Sequence, residues 1–136
     1  MAQTKTQSEL LVITRAKELT TYIITVTEKS PKKFRFTLVS RLQNYSLDVL
    51  ENLYLANDVM MNKSMTMEDM KQRRKYQQNA MTKLRLLAYI AMVARESQCI
   101  LPAQYAQISE KAVETQRLLY SWEQSDNKRI SEIRGK

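Results

Sequence analysis

Seven side chains, Leu38, Leu42, Tyr45, Val49, Leu53, Ala56 and Met60, follow one another at steps of four, three, four, four, three and four. With about 3.6 residues per helical turn, that spacing puts all seven on one helical face. A helix of this length spans on the order of 40 Å, and its apolar face has to be covered by segments of comparable length. The rest of the 136-residue chain supplies three. Val12, Ala16, Leu19, Ile23 and Val26 mark a first helix, capped by Ser8 and running to about Glu28. It includes the β-branched run TTYIITVT, read as helix because the heptad step continues through it and no strand partner is visible elsewhere. Ser30 and Pro31 then supply a cap and a first helical residue for the second helix, so the connection is short and the two helices are antiparallel neighbours.

Ser64 or Thr66 caps the third helix, and Thr66 with Asp69 three residues on resembles a capping box although its acid is Asp. That helix begins polar and basic, MKQRRKYQQN, and then shows a core face at Ala80, Leu84, Leu87, Ala91 and Ala94. Met81, Ala88, Tyr89 and Met92 widen the apolar surface beyond one stripe, which predicts a subunit contact. Pro102 starts a fourth helix whose seam is Tyr105, Ile108, Ala112, Thr115, Leu119 and Trp122, with Trp122 plugging the bundle end. The expected organisation is a flexible N-terminus over 1–7, a bundle over 8–124 and a polar, frayed tail over 125–136. The fold class is all-α, an antiparallel up-down-up-down four-helix bundle.

Composition narrows the chemistry. A β-rich fold needs several turns with positive φ, and the chain has a single glycine, Gly135. With no histidine and one cysteine, Cys99, it offers no intrachain disulfide, no cysteine metal cluster and no histidine base. Phosphate loops rich in glycine are excluded on the same count. The reading is a non-enzyme without cofactors. No apolar run reaches the roughly 18 residues of a membrane span, and no signal-peptide pattern is present, so a cytoplasmic setting is expected.

Net charge is +8 with a pI near 9.7, which points to an acidic partner. Lys29, Lys32, Lys33, Arg35 and Arg41 form one basic block, interleaved with Phe34 and Phe36. Lys71, Arg73, Arg74 and Lys75 form a second, with Lys83 and Arg85 further along the same helix. Such cations neutralise phosphates, and adjacent aromatics can stack on bases. In an up-down bundle the two blocks fall at opposite ends, so no single monomeric patch is implied; an oligomer that aligns copies of each block would turn scattered charge into a ring or channel. The candidate nucleic-acid or partner-binding residues are therefore Lys32, Lys33, Arg35, Arg41, Arg73, Arg74, Lys75, Lys83 and Arg85.

Three stretches carry a family resemblance. SPKKFRFTLVSRLQNYSLDVLENLYLAN is similar to a K-x-x-RF-T-L-x-x-RL motif, matching at Lys32, Arg35, Phe36, Thr37, Leu38, Arg41 and Leu42. KLRLLAYIA over 83–91 is like an L-R-x-L-L segment, and LPAQYAQISEKAVETQRLLYSW resembles a closing helix with a terminal Trp. The family is that of the ribosomal-RNA intervening-sequence proteins and the accessory variability determinant (Avd) of diversity-generating retroelements. The chain departs from it in the longer basic start of the third helix and in ending YSWEQS where relatives often have a GGW turn. The resemblance implies a homopentameric ring with a basic surface that, in the retroelement branch, binds reverse transcriptase and template RNA, or the RNA-cDNA hybrid, during mutagenic cDNA synthesis. Arg35, Arg41 and Arg85 are the basic positions it matches. Rival readings are a purely structural oligomer acting as a protein-protein module and, more weakly, membrane-surface association, disfavoured because the apolar faces are committed to the bundle.

Overall fold

A computed structural model describes residues 7–135, with side chains from Leu11 onward. It contains four helices, α1 (Gln7–Thr27), α2 (Ser40–Asp58), α3 (Met67–Glu96) and α4 (Pro102–Arg134), and no strand among the described residues. TTYIITVT lies wholly within α1, so burial of Thr20, Ile23 and Thr27 overrides its strand propensity. The two buried threonines satisfy their hydroxyls on carbonyls one turn back, Thr20 on Ala16 at 2.8 Å and Thr27 on Ile23 at 2.6 Å.

Contacts fix the register and show every neighbouring pair to be antiparallel. Thr20 and Thr27 meet Ser46 and Gln43 between α1 and α2, and Lys83 and Asn79 meet Asp48 and Asn52 between α2 and α3. Arg73 and Arg95 meet Asp126 and Tyr105 between α3 and α4, and Arg15 and Tyr22 meet Glu114 and Lys111 between α1 and α4. The bundle is thus a closed square with α1 diagonal to α3. Its core follows the stripes expected from spacing, with Val12, Ala16, Leu19 and Ile23, Leu42, Val49, Leu53 and Ala56, Ala80 to Ala94, and Ile108 to Trp122 buried. Val26, Leu38, Tyr45 and Tyr105 of the same stripes are only half-buried, and on the α2 side Val39 and Ser46 take buried places.

Three boundaries differ from expectation. Regular helix does not begin at Pro31; a 3-10 turn, Lys32–Phe34, and a wider π-type turn, Arg35–Val39, precede α2. No side chain caps this start, and the wider turn allows Phe34 and Val39, five residues apart, both to pack inward. At its far end α2 stops at Asp58, so Met60 is exposed and Met61 takes the buried place. The tail is not frayed from Ser125: α4 continues to Arg134 because Asp126 is one more buried step of its seam, held by Arg73 and Gln77. The flexible segment expected over 1–7 lies outside the described residues except for Gln7, which is helical, and so does the Ser8 side chain expected as a cap.

The capping box at α3 forms as expected. Thr66 Oγ1 accepts from the Asp69 N–H and the Asp69 carboxylate accepts from the Thr66 N–H, both at 3.0 Å. Ending α3 required a residue in the left-handed region, and with no glycine available Gln98 takes it at φ 64°, letting the Cys99 and Ile100 N–H groups bond the Ala94 carbonyl. Cys99 is buried against this turn, and burial pushes its thiol above the ordinary range, which leaves it a poor nucleophile.

Candidate nucleic-acid interface

The sequence-predicted cations separate into four settings. At the α1–α2 end, Lys29, Lys32, Lys33 and Arg35 are all exposed on the short turns that precede α2. Phe34 is folded inward under Lys33, whose ammonium sits 5.1 Å from the ring centroid. Phe36 points the other way and is 87% exposed, the most exposed large apolar side chain among the described residues. Cations and a bare ring thus share one convex turn.

One turn into α2, Arg41 and Tyr45 form a second setting. Arg41 donates to the Tyr45 hydroxyl at 3.0 Å and lies 5.9 Å from its ring, while Lys83, from α3, lies 4.5 Å from the same ring and pairs with Asp48 at 3.1 Å. Tyr45 is therefore engaged by two cations. Lys83 is already compensated by Asp48, so it is a weak candidate for a phosphate ligand. Arg41 stays exposed and extends the basic turn along α2.

Arg73 is the clear correction. It is not a surface residue: only 3% of it is exposed. Its guanidinium donates to both Asp126 oxygens, at 2.6 and 3.0 Å, and to the carbonyls of Ala56 and Val59, at 3.2 and 2.7 Å. The Trp122 ring lies 5.2 Å away, and Gln77 donates to Asp126 at 2.8 Å. Arg73 thereby satisfies carbonyls left open at the end of α2 and holds the first turns of α3 to the last turns of α4. It belongs to the core and is no part of an exposed basic surface. Trp122, fully buried beneath it, plugs this bundle end as expected and is closed to base stacking.

The remaining three cations are exposed but dispersed. Arg74 donates to the Asn127 side chain at 2.5 Å, Lys75 faces solvent on the outside of α3, and Arg85 reaches toward Glu123 on α4. Burial raises the Glu123 carboxyl above its ordinary range despite the opposing pull of Arg85 and Arg74. The two basic blocks stand at opposite ends of the bundle, because α2 and α3 begin there. Among the described residues no three carboxylate, cysteine or histidine side chains converge as a metal centre requires, and no helix is long and apolar enough to cross a membrane.

Sequence reasoning missed Asp126 by assigning it to a tail. The signal was present: steps of three and four carry the α3 stripe back from Ala80 to Gln77 and Arg73, and a step of four carries the α4 seam from Trp122 to Asp126.

The architecture is similar to that of a solved structure. It is a protein of unknown function from the S23 ribosomal protein family of Bacteroides thetaiotaomicron, matched with a TM-score of 0.70 over 85% of this chain and 96% of that one, at 15% sequence identity. The two chains share one fold. At that identity the likeness extends to the four-helix architecture and no further. No protein-family model and no curated protein matches the sequence.

Proposed function

We propose that the protein is a non-catalytic, RNA-binding accessory subunit whose contact surface is the basic turn before α2. One observation carries this reading: Lys29, Lys32, Lys33 and Arg35 are exposed together on Lys32–Val39 and the turn leading into it, beside a bare Phe36. Four cations within a short arc suit consecutive phosphates, and an exposed ring offers a stacking platform to an unpaired base. The resemblance of this same stretch to the Avd and intervening-sequence proteins supports the reading and names a reverse transcriptase as the protein partner, with the chain assembled as a homopentamer in the cytoplasm.

The protein-protein module remains a second reading because of one surface. By the register of α3 against α4, Tyr89 lies at the level of Val113 and both are exposed, Tyr89 at 68%, with Met92 and Tyr120 exposed further along the same two helices. Such a patch suits a contact between copies.

Binding of a labelled single-stranded RNA, titrated by fluorescence anisotropy at several salt concentrations, separates the two. RNA affinity is expected to fall with a log-log slope of about −0.7 for each phosphate engaged. The triple variant Lys32→Glu, Lys33→Glu, Arg35→Glu should abolish binding and leave helicity unchanged. Salt-independent binding, or full affinity in the triple variant, removes RNA from this turn and leaves the oligomeric module.

A further inference from the structure

At the opposite end of the bundle the first turns of α3 and the last turns of α4 enclose a groove of about 280 Å3, lined by Met67, Met70, Lys71, Arg74, Ile130 and Arg134. Its floor is apolar and its rim cationic. Met67 is exposed, while Met70 and Ile130 are half-buried. Lys71 and Arg134 form no ion pair with a carboxylate among the described residues; Arg74 bonds the neutral Asn127 side chain and is offset only at a distance by Glu123. The acids of the same α3 turn, Glu68 and Asp69, fall on the other side of that helix by phase, with Asp69 held in the cap.

We propose that this groove docks an acidic, apolar peptide segment of a partner protein, with leucine-like side chains seated on Met67, Met70 and Ile130 and carboxylates on Lys71, Arg74 and Arg134. The volume accommodates one or two aliphatic side chains. Methionine gives a floor that adapts to them, and the two guanidinium groups match carboxylates in shape as well as charge. Nucleic acid fits less well, since no aromatic ring lines the groove and a base would have no stacking surface. The site stands apart from the RNA-binding turn by the length of the bundle and is independent of it. Failure of RNA to bind leaves this inference intact.

The test uses the full chain and a fluorescein-labelled peptide of alternating glutamate and leucine, followed by anisotropy, with the lysine-leucine analogue as control. Met67→Glu and Arg134→Glu both sit at exposed positions, so circular dichroism should show the native helicity. The acidic peptide is expected to bind and the basic one not, each substitution should weaken affinity by roughly tenfold, equivalent to about 1.4 kcal/mol, and excess unlabelled oligouridylate should not displace the peptide. The inference is overturned if the acidic peptide fails to bind, if both variants keep full affinity, or if oligouridylate competes, which would return the groove to nucleic acid. A fall in oligomer mass on Met67→Glu, measured by light scattering, would also overturn it by showing that a second copy covers the groove.

Discussion

Two basic runs that look alike in the sequence end up as opposite kinds of object. The block around Lys32 to Arg35 sits on irregular turns with its cations in water, whereas the block around Arg73 is threaded through the regular phase of α3, which carries Arg73 into the core and leaves its neighbours outside. A charge run does not report exposure; helical phase does. Arg73 lies seven residues before Ala80, two turns back along the same face, and its burial is made tolerable by Asp126, two carbonyls and the Trp122 ring.

The sharpest way to break that contrast is to remove Arg73. Arg73→Ala leaves Asp126 buried without its cation and should cost about 3–5 kcal/mol in urea unfolding, while the double change Arg73→Met, Asp126→Leu should recover most of the loss. A fully stable single variant would place Arg73 among the solvated cations after all, and the two blocks would no longer differ.

A smaller effect compares how the two ends start their helices. Thr66→Ala removes a formed capping box at α3 and should cost about 1 kcal/mol. Ser30→Ala, before the uncapped start of the other block, should cost almost nothing, since its hydroxyl is buried beside the Cys99 thiol without a well-formed hydrogen bond among the described residues. Equal losses at the two positions would mean that Ser30 caps the turn in solution.

The smallest effect is one of pH. Burial raises the folded-state pKa of Glu123, so between its unfolded and folded pKa values the native state holds more protons than the unfolded state. This group therefore lowers stability as pH rises through that window, just above the usual carboxylate range, and leaves it lowered at neutral pH. Glu123→Gln should raise the Tm slightly at pH 7 and flatten the profile in that window; a lower Tm would mean that attraction to Arg85 and Arg74 outweighs burial.

Much of this was legible from spacing. The four stripes, the helical state of TTYIITVT, the Thr66 to Asp69 box and the placement of the basic blocks at opposite ends all follow from periodicity and short connections, because a helix commits every residue to a face at a fixed angular step. The π-type turn before α2 was not legible, since it arises from fitting Phe34 and Val39 to a core built by other helices.

The candidate site divides along the same line. Sequence alone determined which residues carry charge and, within the regular helices, which face each occupies. Tertiary structure decided what those charges meet: Arg73 on Asp126, Lys83 on Asp48 and Tyr45, and the turn around Arg35 on solvent. The physical reason is that a charge is stabilised by what lies across the helix-helix gap, and the partners there come from residues tens of positions away, 53 for Arg73 and Asp126.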